Sequence, residues 1–202
     1  MGQRLVVNVV RNDKTLATVY YHWSAYTMSA LYTAKELIDF FYEINYKKKG
    51  DDDLVLELIR YCEENGGGLS ADEHEAAKIK YPDCTFAYGD RNYGLVSFSP
   101  EGMNTSHSWS EGDLEINLDS EEIYNGVFGV WDKEGYMDCY YDEEYDYTEY
   151  DNIPLYDDDP LSVIAFKDID NTIQEAENLP HFFRCCIDSN CEDEEIIVEI
   201  IE

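Results

Sequence analysis

Positive charge is what this sequence has least of. Its 202 residues hold 14 Lys+Arg against 45 Asp+Glu, for a formal net charge of −31. A chain so short of cations cannot wrap nucleic acid by neutralising phosphates, so no direct nucleic-acid binding is expected. An anionic membrane surface is disfavoured for the same reason. Long apolar runs are also missing: none approaches the roughly 18 residues that mark a transmembrane helix. The opening MGQRLVVNVVRND breaks from apolar to polar too early for a secretory signal. MGQRLV also lacks the Ser or Thr that a myristoylation site wants. Without a signal, Cys62, Cys84, Cys139, Cys185, Cys186 and Cys191 are expected to remain thiols, and the expected location is a reducing cytoplasm.

What is present argues against disorder throughout. The chain is 44% hydrophobic and 14% aromatic, with 18 Tyr, whereas wholly disordered acidic chains lack aromatics. The charge is uneven. Residues 1–91 hold 11 basic and 15 acidic residues, a net of −4; residues 92–202 hold 3 and 30, a net of −27. The peak is 132–159, with 12 acidic residues, 7 Tyr and one cation, Lys133. Tyr favours strands and packs its ring while its hydroxyl stays wet, so this stretch reads as ordered or ordered by a partner. We therefore expect a core domain over 1–131, an acidic Tyr-rich segment over 132–159, and strands with a short helix over 160–202 completing the same domain.

Periodicity predicts an N-terminal hairpin, Leu5–Val10 and Thr15–Tyr21, joined by the four-residue loop Arg11-Asn12-Asp13-Lys14. Thr27 or Ser29 caps a helix to about Tyr46, followed by Lys47-Lys48-Lys49 and a terminating Gly50. A second helix covers Asp51–Glu64 and stops at Asn65-Gly66-Gly67-Gly68. Ser70 and Glu73 form a capping box for a third, ending before Pro82. The period then becomes two: Asn92–Ser99, Asn104–Trp109, Asp113–Leu118, Gly126–Trp131 and Tyr136–Tyr141 read as an antiparallel meander with turns such as Pro100-Glu101-Gly102. Leu161–Phe166 and Ile196–Ile201 are late strands. Thr172 and Glu175 cap a short helix between them. The fold class is α+β, with a largely antiparallel sheet.

Several motifs are weaker than they first look. Asp168-Ile169-Asp170-Asn171-Thr172 after Val163–Phe166 resembles the first motif of haloacid-dehalogenase-type phosphatases, but that family needs further motifs and only 30 residues follow Thr172. A strand, turn and helix cap is the plainer reading. His181 with Cys185, Cys186 and Cys191 lacks the paired spacing of a zinc site and reads as core thiols. Asp157-Asp158-Asp159 and Asp142-Glu143-Glu144 do not fit a calcium loop. No cofactor, metal or catalytic residue is expected. An alternative ligand pocket involves His22, Arg91, Asn92 and His107, with the aromatics Tyr20, Tyr21, Trp23 and Tyr26 around His22.

Large negative potential steers a basic partner. A duplex carries one charge per about 1.7 Å of axis. Fully extended, 132–159 would offer roughly one carboxylate per 8 Å, so matching a duplex needs folding back, pairing or a homodimer. The residues expected to contact the partner are Asp138, Tyr140, Tyr141, Asp142, Glu143, Glu144, Tyr145, Asp146, Tyr147, Glu149 and Asp151, with the tyrosines stacking on Arg or filling base pockets.

Met1-Gly2-Gln3-Arg4-Leu5, Tyr20-Tyr21-His22-Trp23-Ser24-Ala25-Tyr26-Thr27 and Asp90-Arg91-Asn92-Tyr93-Gly94-Leu95 resemble a group of uncharacterised phage and Gram-positive bacterial proteins. In composition the chain is similar to DNA-mimicking phage inhibitors of host defence, the anti-CRISPR and anti-restriction proteins. The resemblance implies a non-enzymatic inhibitor blocking the nucleic-acid channel of a basic host nuclease or CRISPR effector. A protein that binds or hydrolyses a nucleotide or other signalling ligand is the alternative, and a structural phage protein the third.

Overall fold

The computed structural model describes residues 4–25, 27–125 and 163–177. Its centre is a seven-stranded sheet with helices on both faces. Strands β1 (Leu5–Arg11) and β2 (Lys14–Tyr21) form the expected hairpin, but the connection is tighter than four residues. Only Asn12 and Asp13 lie between the strands, both with positive φ (54° and 56°). That left-handed pair matches the twist of the flanking strands, which is why Arg11 and Lys14 can pair.

The helices α1 (Thr27–Glu43) and α2 (Asp51–Glu64) follow, linked by a 3-10 turn at Tyr46–Lys48. Gly50 begins α2 rather than ending α1. The apolar stripe Leu31, Ala34, Leu37, Ile38 and Phe41 of α1 is buried with Leu54, Val55, Leu58, Ile59 and Cys62 of α2 against Leu5, Val7, Val9, Ala17 and Val19. Spacing of three and four on the helices meets spacing of two on the strands, so one face of each element is removed from water.

The meander is replaced by a mixed sheet in the order β3-β4-β2-β1-β5-β6-β7. Here β3 is Gly68–Leu69, β4 Leu95–Ser97, β5 Gly112–Asn117, β6 Glu122–Asn125 and β7 Val163–Ala165. Two of its pairings are parallel, β1 with β5 and β3 with β4. The cause is local: Asn104–Trp109 is not a strand. Ser99 accepts a hydrogen bond from the Gly102 N–H (3.1 Å) and Pro100 occupies the first turn, so Pro100–His107 winds into helix α4. With α4 between them, β4 and β5 are no longer hairpin partners, and β5 pairs beside β1 instead. Ser97, on the face opposite Val96, meets Ser106 of α4 (Oγ–Oγ 3.1 Å).

Two expected capping boxes are also absent. Ser70 makes no side-chain cap; a 3-10 turn at Ala71–Glu73 leads into α3 (His74–Lys80). Helix α5 (Ile169–Glu177) begins three residues before Thr172, whose hydroxyl donates back to the Asp168 carbonyl (3.0 Å). Strand β7 pairs antiparallel with β6, Tyr124 opposite Val163, so the chain leaves and re-enters the sheet at adjacent points. The predicted strands Gly126–Trp131, Tyr136–Tyr141 and Ile196–Ile201 lie outside the described residues. No described helix is long and apolar enough to cross a membrane.

Candidate functional site

The register brings one end of each central strand together. Leu5 pairs with Tyr21 on one side and Gly112 on the other, and Leu95 pairs with Tyr20. The residues just outside these pairs are therefore neighbours: Arg4 before β1, His22 after β2, Glu111 before β5, and Arg91 in the loop before β4. Asn125 pairs with Leu114 near the same end, so the chain enters 126–162 from there.

Arg4 and Glu111 close this end with a clasp. The Arg4 backbone N–H and its Nη2 each donate to a Glu111 carboxylate oxygen (2.9 Å both), and the Glu111 N–H donates to the Arg4 carbonyl (2.7 Å). The Arg4 hydrogen bond holds the Glu111 carboxyl below its ordinary range. Beside them the Tyr20 hydroxyl and His22 Nδ1 lie 3.0 Å apart. Burial, then the positive charges of Arg91 and Arg4, pull His22 below the usual imidazole value. Burial pushes the Tyr20 phenol up. Both groups are thus neutral near pH 7, and they share one hydrogen bond between the phenol oxygen and Nδ1. Trp23 stands edge-on to His22 with ring centroids 4.7 Å apart, and is half exposed.

Glycines hold Arg91 at this end. The His22 N–H donates to the Arg91 carbonyl (3.1 Å), the Asp90 N–H to the Gly66 carbonyl (3.2 Å), and the Gly68 N–H to the Gly94 carbonyl (2.9 Å). A Cβ on Gly67 would sit 2.0 Å from the Gly94 oxygen, and one on Gly89 2.4 Å from the Gly67 carbon. The triglycine therefore does more than stop α2: it lets two backbones touch, so the 89–94 loop lies across it.

Of the predicted pocket, His22 and Arg91 are brought together. Asn92 follows in the same turn, its N–H donating to the Asp90 carboxylate (2.9 Å). His107 ends α4 and faces Asp113 (Nδ1–Oδ1 3.5 Å). Sequence reasoning missed Arg4 and Glu111, because they are 107 positions apart and only the unforeseen parallel pairing joins them. The glycine crossing did leave a trace, since Gly66-Gly67-Gly68, Gly89 and Gly94 are more glycines than helix stopping requires.

The phosphatase-like aspartates are surface ion-pair partners: Asp170 meets Lys35 (3.0 Å) and Asp168 meets Lys167 (4.0 Å). Among the described residues no three His, Cys, Asp or Glu side chains cluster as a metal site. The predicted partner-binding residues Asp138, Tyr140, Tyr141, Asp142, Glu143, Glu144, Tyr145, Asp146, Tyr147, Glu149 and Asp151 lie outside the described residues, as do Cys139, Cys185, Cys186 and Cys191.

No family model matches the chain, and no curated protein or solved structure matches it either.

Proposed function

We propose that the protein is a phage-type inhibitor of bacterial defence that presents carboxylates and tyrosines to the nucleic-acid channel of a basic nuclease, such as a CRISPR effector. The observation that carries this is the fate of its cations. Nine of the twelve described Lys and Arg side chains lie within 4.0 Å of a carboxylate of the same fold. Arg4–Glu111, Arg11–Asp51, Lys49–Glu57 and Arg60–Glu63 are examples. The described cations are thus largely committed to local pairs. Residues 126–162 contribute 12 carboxylates and one cation of their own. That surplus of negative charge in the sequence suits a basic partner, because opposite charge gives fast, steered association.

The test is displacement of DNA from a panel of purified defence nucleases, guide-loaded where they need a guide. At low salt the protein should displace DNA from at least one of them. Reversing Glu143, Glu144 and Asp146 to Lys should abolish displacement, and raising salt should weaken it steeply. Undiminished inhibition by the reversed variant rules the reading out, as does no displacement anywhere in the panel.

A further inference from the structure

We infer that the outer edge of β7 is a docking site for an extended segment of a partner protein that carries Lys or Arg at alternate positions. This stands apart from the inhibitor reading, since it uses none of the residues named there. The sheet ends at β7, and among the described residues no strand pairs with its far side. The other edge strand, β3, is met by Tyr88 through a bridge to Leu69. Hydrogen-bond parity decides which groups β7 presents. The Phe166 N–H donates to the Glu121 carbonyl (2.8 Å), and the same register sets Ile164 opposite Ile123. In an antiparallel ladder every second residue bonds the same neighbour, so Ile164 and Phe166 face β6. Val163 and Ala165 therefore turn their N–H and C=O groups away from it. Such a row of groups at an open edge is the template on which a further strand forms.

The side chains beside this edge select the occupant. On the face opposite buried Ile164, Val163 lies across from Tyr124, Tyr124 across from Glu115, and Ala165 across from Glu122. Val163 and Tyr124 are 44% and 39% exposed. The Tyr124 hydroxyl donates to Glu122 (2.9 Å), and Glu115 accepts from the Asn117 amide (3.3 Å). Among the described residues neither carboxylate has a Lys, Arg or His within 4.0 Å. Lys167, past the end of β7, reaches Asp168 instead (4.0 Å). A strand added to β7 would lie about 4.8 Å away and set alternate side chains beside Val163 and Ala165. Ala165 is small enough for a Lys or Arg stem to cross. The stem can then lie along Val163 and the Tyr124 ring while its charge meets Glu122. An acidic segment would face these carboxylates with like charge. So would a second copy paired edge to edge, because it brings the same Glu122.

The decisive variant is Ala165→Pro. Ala165 has φ −68° and ψ 142°, values that proline adopts, and its N–H points out of the sheet, so the change removes an edge donor without straining the fold. The full-length protein is titrated by NMR with the peptide acetyl-Lys-Val-Lys-Val-Lys-Val-amide, and separately with the same peptide carrying Glu for Lys. The lysine peptide should bind saturably, shift the Val163 and Ala165 amides most and slow their hydrogen exchange. Ala165→Pro should weaken it at least roughly ten-fold with an unchanged melting temperature. Glu122→Gln, which leaves the backbone alone, should also weaken it roughly ten-fold. The glutamate peptide should not bind. No saturable change at millimolar lysine peptide overturns the site, as does full affinity in Ala165→Pro. Equal binding of the two peptides, or full affinity in Glu122→Gln, overturns the choice of a basic occupant. Slow exchange of the Val163 and Ala165 amides in the protein alone overturns it too. A dependence on protein concentration would then assign the edge to a second copy, and no dependence would assign it to the chain itself.

Discussion

Glu73 has no exposed surface, yet it is a carboxylate. It accepts the Ser99 hydroxyl (2.7 Å) and the Ser99 N–H (3.2 Å), and so sits at the start of α4. Negative charge is favourable there because the first N–H groups of a helix have no internal partner. The fit leaves no slack: a Cβ on Gly102 would fall 1.6 Å from Glu73 Oε1. Gly102→Ala is therefore expected to cost about 2–3 kcal/mol, because carboxylate or helix must move. Glu73→Gln should cost about 1–3 kcal/mol, since an amide NH2 replaces one of the two accepting oxygens. Urea unfolding checks both; an unchanged midpoint for Gly102→Ala would show that the contact is not maintained. Cys62 gives a second expectation at this scale. Burial pushes its thiol up to about 12, so at pH 8 it is protonated and inaccessible. Mass spectrometry after brief native alkylation should find Cys62 unmodified and the half-buried Cys84 labelled.

Polar links tie the described elements to one another, and Tyr46 makes one of them. It sits in the turn between α1 and α2, and its hydroxyl donates to Glu121 in the β5–β6 turn (2.7 Å), where Lys47 also reaches (2.5 Å). Hydrogen bonds from Lys47 and Tyr46 hold the Glu121 carboxyl below its ordinary 4.5. A depressed folded value means that the unfolded state takes up the proton first as pH falls. The stabilisation is whole above about 4.5 and lost as pH drops through the lower folded value. Tyr46→Phe should cost about 1–2 kcal/mol at pH 7 and less in acid, measured as unfolding free energy against pH. The hairpin, α1, α2 and the core stripe were legible because their apolar period is unbroken. Helix α4 was not, because His107 and Trp109 with the residues before them alternate like a strand. The cap signal in Ser99-Pro100-Glu101 was there, but it also fits a turn, and only the buried Glu73 and the Ser97–Ser106 contact settle the choice. That one substitution of helix for strand made the parallel β1–β5 pairing unforeseeable, and with it the Arg4–Glu111 clasp.

For the whole molecule, a surplus of −31 has opposite consequences for folding and for the proposed binding to a basic partner. Like charges in one compact body repel more than in the extended chain, so the fold carries a self-repulsion that mobile ions relieve. The Debye length shortens from about 30 Å at 0.01 M salt to about 8 Å at 0.15 M, so most of that relief arrives by physiological ionic strength. The ion pairs within the fold are weakened by the same screening, but most are exposed, and such pairs contribute little individually. The melting temperature of the protein alone should therefore rise between 10 mM and 150 mM NaCl, while displacement of DNA from a basic nuclease falls over the same range. Neutralising Glu143, Glu144 and Asp146 to Gln, Gln and Asn tests whether one set of charges does both. It should flatten the rise in melting temperature and weaken displacement together. A melting curve that ignores salt in the native chain would mean the carboxylates are already compensated within the folded protein, leaving no surplus for a partner to read.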